Sequence, residues 1–130
     1  MHPTPNSIMN YARDMNRTAN FYETYAGFKS SGLVDGLIEL TTEDGMRIVV
    51  QQAAKSFKLG QVGVKLVFSV QDVEGFKAKS AKLGLKFGST HTASGYSFAN
   101  AKDPDKNSVS YSNRAFRKNA WPATTAEWMN

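Results

Sequence analysis

The sequence predicts an α+β fold of two tandem βαβββ modules that form a cupped mixed sheet. The first observation is a repeated order of elements, in which a strand is followed by an aspartate, a helix, a glycine and further strands. Asp14 and Asp72 open the two predicted helices and are 58 positions apart, as are Ser7 and Lys65 in the preceding strands. The second observation is a hairpin signal late in each repeat. A repeat of this kind indicates two half-domains that pack as a pair and share a site.

Module one spans about residues 7–52 and begins with a strand. Asp14 is placed to cap the following helix, because a carboxylate accepts hydrogen bonds from the free N–H groups of the first turn. Apolar residues at three- and four-residue spacing predict the helix, which ends at Gly27. A short edge strand follows, and an Asp-Gly hairpin between strands over residues 36–41 and 46–51 completes the module.

Module two spans about residues 63–113 and repeats this order, with Asp72 as the helix cap. A short strand is predicted over residues 85–88, and strands over residues 96–101 and 107–112 pair across a turn. One face of the helix is predicted to carry Val73, Phe76, Ser80 and Leu83. Residues 1–115 are therefore expected to form a single domain, and residues 116–130 a C-terminal extension that contains two tryptophans.

Composition excludes several classes of protein. A chain of 130 residues with 41% hydrophobic and 12% aromatic residues is typical of one folded domain. No apolar run approaches the ~20 residues of a membrane span, and no cysteine is present for disulfide or thiolate chemistry. We therefore expect a cytoplasmic protein with no membrane partner. The net charge of +5 is spread along the chain, which argues against a nucleic-acid partner.

Three segments resemble the glyoxalase/bleomycin resistance/dioxygenase proteins, also called the vicinal oxygen chelate superfamily. Residues 11–28 are similar to the opening of their first module, and residues 67–73 to the opening of the second. Residues 96–109 contain Asp-Pro-Asp-Lys-Asn, which resembles their penultimate hairpin with Lys106 in place of the usual glycine. The resemblance covers about residues 7–113 and implies the paired-module fold. It also implies a homodimer formed through the open sheet edges.

The resemblance further implies four positions that would hold a divalent metal. In this sequence they carry Ser7, Lys65, Val49 and Ser110. Valine has no donor atom and a lysine ammonium repels a cation, so we expect no metal and no other cofactor. Glu39 could supply one carboxylate if the ligand strand is a different one, although its ordinary interpretation is a solvent-facing or ion-paired residue.

The alternation of side chains along each strand predicts which residues line the shared concavity. Lys65 lies in an otherwise apolar strand, on the face that points into the cavity. One interpretation is that this face is open to solvent and the lysine extends into water. The other is that Lys65 replaces the charge of the metal and binds an anionic group, with Arg47 assisting. The predicted ligand-binding residues are Lys65, Arg47, Ser7, Tyr11, Gln51, Ser69 and Ser110.

We expect a protein that binds or sequesters a small molecule, as the bleomycin-resistance branch does, rather than an enzyme. No catalytic residue is predicted, because His2 and His91 lie in a terminus and a loop, and Asp103 and Asp105 are typical turn residues. The alternative is a divalent-metal-dependent lyase, isomerase or dioxygenase of the same superfamily. A third hypothesis is an interaction protein that contacts another macromolecule through its basic charge and its tryptophan-containing tail.

Overall fold

The computed structural model describes His2 and residues 5–117, so the predicted extension lies almost entirely outside the described residues. The chain divides into two compact units. Unit 1 consists of Met1–Gly63 and Asp103–Asn107, and unit 2 of Val64–Lys102 and Ser108–Asn130. The two units are therefore interleaved in sequence. Within the described part of the chain, no helix is long and apolar enough to cross a membrane.

Unit 1 is a four-stranded mixed sheet with a helix on one face. Its elements are β1 (Ile8–Ala12), α1 (Met15–Ala26), β2 (Lys29–Val34), β3 (Leu37–Thr41) and β4 (Arg47–Gln52). The strand order is β1-β4-β3-β2, with β1 parallel to β4 and the other neighbours antiparallel. The predicted βαβββ order of the first module is confirmed.

Local sequence explains the ends of α1. Asp14 caps the helix, as predicted, by accepting a hydrogen bond from the backbone N–H of Arg17 at 3.1 Å. Gly27 ends it with a φ of 70°, a left-handed conformation that favours glycine. Phe21 and Tyr22 are buried on the side of α1 that meets the sheet. The sheet side of this core is aliphatic and consists of Ile38, Leu40, Ile48 and Val50.

The turn between β2 and β3 has a sequence signal that the prediction did not use. Asp35 and Gly36 both have positive φ, of 53° and 78°, which is typical of the two-residue type I′ turn. Because this Asp-Gly pair closes a hairpin, β2 continues to Val34 and is longer than the predicted edge strand. The second Asp-Gly hairpin, between β3 and β4, is confirmed at the predicted place.

Unit 2 repeats this plan. Its elements are β5 (Lys65–Ser69), α2 (Val73–Lys82), β6 (His91–Ala93), β7 (Tyr96–Lys102) and β8 (Ser108–Ser112), followed by a short 3-10 helix (Arg114–Phe116). The strand order is β5-β8-β7-β6, with β5 parallel to β8. Asp72 caps α2 as predicted, accepting a hydrogen bond from the Gly75 backbone N–H at 2.9 Å. The second βαβββ module is therefore confirmed.

The prediction was wrong about the segment that follows α2. Residues 85–88 form no strand, and the short strand of the module is β6 instead. The Leu85 backbone N–H donates to the Ser80 carbonyl oxygen at 3.0 Å, so it closes the helix end and is not available to a sheet. Leu83, predicted on the same helix face as Val73 and Phe76, lies beyond the last residue of α2 and is 59% exposed; Leu85 is buried instead.

The core of unit 2 is aromatic. The ring centroid of Tyr111, in β8, lies 4.4 Å from that of Phe76 in α2 and 5.6 Å from that of Phe68 in β5. Offset and edge contacts between such rings stabilise a core beyond the effect of area alone. These contacts also establish which face of the second sheet meets its helix, and hence which residues lie on the other face.

Candidate functional site

Each sheet has a face opposite its helix, which we call the distal face. In β5, Phe68 contacts the core, so Lys65, Val67 and Ser69 lie on the distal face by alternation. Strand pairing extends this face across unit 2 in three rows of residues. The rows are Lys65–Ser108–Lys102, Val67–Ser110–Asn100 and Ser69–Ser112–Phe98.

Lys65 is exposed, and two neighbours orient its ammonium group. Nζ donates a hydrogen bond to Asn100 Oδ1 at 3.2 Å and lies 5.3 Å from the ring centroid of Phe98. An ammonium group has three donors, so these contacts leave it able to bind a further acceptor. Within residues 5–117, no carboxylate forms an ion pair with Lys65.

Acidic residues are absent from all four strands of unit 2, whose sequences are KLVFS, HTA, YSFANAK and SVSYS. Lys102 supplies a second ammonium group on the same row as Lys65, and its Nζ donates to Ser108 Oγ at 2.7 Å. Two ammonium groups with no fixed anion in these strands are an arrangement that favours the approach of small anions.

The serines of the distal face differ in accessibility. Ser69 is exposed and can meet a ligand from solvent. Ser110, another predicted site residue, is 2% exposed, and its Oγ donates to the Ala99 carbonyl oxygen at 3.4 Å. A hydroxyl that is buried and already bonded within the sheet has little capacity left for a ligand. Of these two serines, Ser69 is therefore the accessible one.

Unit 1 has a different distal face, on which Tyr11 and Gln51 are register partners. The Tyr11 ring stacks on Phe57 with centroids 5.0 Å apart and an interplanar angle of 29°. Arg13 holds the loop that carries Phe57, because its guanidinium donates to the carbonyl oxygens of Ala54 at 3.0 Å and Phe57 at 2.6 Å. This face therefore presents an aromatic pair to solvent.

The predicted assistant to Lys65 has a partner of its own. Arg47 Nη1 lies 3.7 Å from Glu39 Oε1 in a half-exposed ion pair on the unit 1 sheet. Glu39 thus has the ion-paired role that is ordinary for a strand glutamate, and it neutralises Arg47. Ser7, the remaining predicted residue, is exposed and precedes β1.

The donor set at the four metal positions does not fit a divalent metal. Val49 is 7% exposed and has no donor atom, and the Lys65 ammonium is held by Asn100. Ser110 uses its hydroxyl within the sheet. Among the described residues, no group of three or more histidines, aspartates and glutamates could hold a metal ion. We therefore derive no chemistry through a metal.

A buried pair of carboxylates in unit 1 was missed by sequence reasoning. Asp103 and Asp105 are turn residues as predicted, and Asp103 Oδ1 accepts from the Asp105 backbone N–H at 2.8 Å. Both are only 4% exposed. Tyr22 Oη donates to Asp103 Oδ2 at 2.7 Å, and Thr18 Oγ1 donates to Asp105 Oδ2 at 2.5 Å. The backbone N–H of Arg13 donates to Asp105 Oδ1 at 2.9 Å.

These two carboxylates are structural, because their acceptor atoms are used by groups of unit 1. The available signal was a polar residue, Thr18, one turn before Tyr22 on the otherwise apolar face of α1. Lys106, in the same turn, has a φ of 68°, so the chain keeps the left-handed conformation that the glycine of similar hairpins adopts easily. The left-handed backbone conformation at this position is thus adopted by a lysine.

No family model and no curated protein matches the sequence. Solved structures do match. A glyoxalase/bleomycin resistance protein/dioxygenase domain from Frankia sp. EAN1pec is 18% identical over 86% of this chain and 98% of its own, with a TM-score of 0.68. An antibiotic-binding protein from Streptomyces sp. CB03234 is 16% identical over 85% and 94%, with a TM-score of 0.69.

An oxidase is similar to the same extent, at 15% identity over 88% of this chain and 95% of its own, with a TM-score of 0.66. A binding protein and an enzyme therefore share this architecture. At this level of identity the likeness concerns the backbone alone, and function has to be argued from the side chains of the chain itself.

Proposed function

Since the chain has the glyoxalase/bleomycin resistance/dioxygenase fold, we propose that it is a metal-free member that binds or sequesters a small anionic molecule. The observation that carries the proposal is the oriented, unpaired ammonium group of Lys65 on an acid-free sheet face. Lys65 stands at a position where the sequence resemblance implies a metal ligand, and it brings a positive charge there. The antibiotic-binding neighbour supports the general class of small-molecule binding.

The Lys65 ammonium group is oriented before any ligand binds. A free lysine side chain loses conformational entropy when a ligand fixes it. Here Asn100 and the Phe98 ring already restrict Nζ, so less freedom remains to be lost on binding. Ser69, exposed on the same strand, can donate a hydrogen bond to the anion.

The charges around Lys65 also favour an anionic ligand. An anion at Lys65 meets no fixed carboxylate in the strands of unit 2, and Lys102 adds a second cation. Arg47, in contrast, already pairs with Glu39 and would have to exchange one anion for another. We therefore assign Lys65 the larger share of the interaction. The predicted roles of Arg47, Tyr11, Gln51 and Ser7 remain predictions.

The proposal is tested by titrating the protein with benzoate and with inorganic phosphate, observed as amide chemical-shift changes in NMR spectra. We expect the largest changes in β5 and β7, and about fivefold weaker binding in the Lys65→Gln variant, because an exposed charge pair contributes about 1 kcal/mol. Lys82→Gln is the matched control, since Lys82 is exposed at the end of α2 and carries the same charge. Equal losses in both variants, or no binding by the unaltered protein, would overturn the proposal.

Metal analysis distinguishes the binding role from the alternative, a divalent-metal-dependent lyase, isomerase or dioxygenase. Protein purified without chelators is assayed for zinc, nickel, iron and manganese. The donor set described above predicts less than one equivalent of any metal and no thermal shift on metal addition. Stoichiometric uptake would favour the enzyme and contradict the binding role.

We also propose a homodimer in the cytoplasm. Support for the dimer is the open backbone edge of each sheet, at β1 and β2 in unit 1 and at β5 and β6 in unit 2. Light scattering on the purified full chain tests it, and a mass of one chain at all concentrations would contradict it. The cytoplasmic location is tested separately by fractionation of cells that express the protein.

A further inference from the structure

We infer that the anion site of unit 2 selects flat aromatic anions, such as aromatic carboxylates, over aliphatic anions of equal charge. The inference rests on the proposed function and specifies the chemical class of the ligand. Its basis is a row of three rings that borders Lys65 on the distal face of unit 2. We call this row the aromatic shelf, and it consists of Tyr96, Phe98 and His91.

The strand geometry builds the aromatic shelf. Tyr96 and Phe98 are two residues apart on β7, so both point to the distal face, and His91 is the register partner of Phe98 on β6. The His91 and Phe98 centroids are 5.2 Å apart with an interplanar angle of 30°. Those of Tyr96 and Phe98 are 6.1 Å apart at 31°. Neighbouring rings are thus tilted by about 30° to each other and lie side by side on the distal face.

Cations lie near two of the three rings of the aromatic shelf. Lys65 Nζ lies 5.3 Å from the centroid of Phe98, the central ring. The guanidinium carbons of Arg114 and Arg117 lie 5.6 Å and 5.5 Å from the centroid of Tyr96, at one end. These distances are within the ~6 Å range in which a cation is attracted to the face of a ring. The cations are therefore held beside the rings.

A flat aromatic anion matches both properties of this surface. Its ring can stack on the aromatic shelf in an offset arrangement, an interaction that adds roughly 0.5–1.5 kcal/mol beyond burial of area. Its carboxylate can then accept a charge-assisted hydrogen bond from Lys65. A saturated anion gains the second interaction without the first, and a neutral aromatic molecule gains the first without the second.

Unit 1 supplies an internal comparison. Its stacked pair, Tyr11 and Phe57, has ring centroids 5.0 Å apart, but among the described residues no cation lies over either ring. The one arginine on that sheet, Arg47, is neutralised by Glu39. Both units therefore present aromatic rings on the distal face. Among the described residues, only unit 2 combines such rings with a lysine that has no ion-pair partner, Lys65.

The test compares three probes on the full chain by NMR titration: 2-naphthoate, cyclohexanecarboxylate and 2-naphthamide. We expect 2-naphthoate to bind about two- to fivefold more tightly than either of the others, which is the range that one stacking or one exposed charge interaction gives. In the Phe98→Leu variant, the preference for 2-naphthoate over cyclohexanecarboxylate should disappear. Phe57→Leu is the matched control and should retain it.

The possible outcomes separate this inference from the proposed function. If both carboxylates bind equally and Lys65→Gln weakens both, the aromatic preference is wrong and the anion site stands. If neither carboxylate binds, both proposals fail. Equal binding of 2-naphthamide and 2-naphthoate would overturn the inference, because charge would then contribute nothing. If Phe98→Leu fails to fold, Tyr96→Leu replaces it. The ratio of the affinities for 2-naphthoate and cyclohexanecarboxylate in the unaltered protein already decides whether an aromatic preference exists.

Discussion

The two units share one backbone plan and differ in where their charges lie. Unit 1 satisfies its buried acids internally, through Thr18 and Tyr22, and pairs Arg47 with Glu39 on its distal face. Unit 2 has no acid in its strands and presents Lys65 beside aromatic rings. A repeated fold thus leaves surface chemistry free to diverge, because alternation decides which positions face away from the helix but not which residues occupy them.

This difference between the units supports the proposal that the binding face lies in unit 2. A binding face needs groups whose interactions are incomplete, and a structural cluster needs groups whose interactions are complete. Among the described residues, Lys65 belongs to the first kind and Asp105 to the second. Substitutions in the two units should therefore have opposite consequences, with stability affected in one and binding in the other.

The largest effect on stability is expected from a substitution in the buried carboxylate pair of unit 1, Asp103 and Asp105. Asp105→Ala removes the acceptor of the Thr18 hydroxyl and of the Arg13 backbone N–H, in a place where the carboxylate is 4% exposed. Leaving one buried and one part-buried donor unsatisfied should lower the free energy of unfolding by ~2–4 kcal/mol. Urea denaturation measures this.

The control for that substitution is Asp44→Ala, which removes an exposed acid from the β3–β4 turn. It should change stability by less than about 0.5 kcal/mol. Folded Asp105→Ala protein should still bind benzoate with unaltered affinity. If Asp105→Ala costs no more than Asp44→Ala, the carboxylate pair is not the structural element described above.

An intermediate effect is expected at the loop that supports the aromatic pair of unit 1. Arg13→Ala removes two guanidinium hydrogen bonds to carbonyl oxygens, including the 2.6 Å bond to Phe57, at a largely exposed site. The expected loss is about 1 kcal/mol of unfolding free energy. The Tyr11 ring protons should also shift towards solvent-like values in NMR spectra.

Arg17→Ala is the matched control for Arg13, because Arg17 is exposed and contributes only its backbone N–H to the cap of α1. It should leave the Tyr11 resonances in place. A shift of equal size in both variants would show that the Tyr11–Phe57 contact does not depend on the bonds from Arg13.

The smallest effect on stability is expected from a substitution that gives unit 1 an unpaired cation, as unit 2 has. Glu39→Gln leaves Arg47 without its ion-pair partner on the distal face. Since exposed pairs contribute little, stability should change by less than about 0.5 kcal/mol. The Arg47 side-chain resonance should begin to respond to added benzoate, as a newly available cation would. A stability loss above about 1 kcal/mol would contradict the view that this pair mainly neutralises charge.

Much of the fold could be predicted because its signals are local. Asp14 and Asp72 cap the two helices as expected, and the Asp-Gly hairpin after β3 lies at the expected place. The error at residues 85–88 arose because the Leu85 backbone N–H is used by the end of α2. Strand propensity is weaker than such a competing hydrogen bond, since strands depend on their context.

The candidate site was predictable only in part. Alternation placed Lys65 and Ser69 on the distal face, because the pleat has a period of two residues. Sequence alone could not show that Ser110 is buried on that face, or that Arg47 has Glu39 as a partner. Both facts depend on neighbours in other strands, and pairing between strands is a long-range property.

Because the two units are interleaved in sequence, unit 1 is complete only when residues 103–107 are present. The carboxylates that accept from Thr18 and Tyr22 are encoded some eighty residues downstream, in Asp103–Asn107. A ribosome that has released only residues 1–63 has therefore made a first unit without its acceptors. The same holds for an N-terminal fragment produced by a protease or by gene dissection, which should fold only when a peptide containing residues 103–107 is supplied in trans.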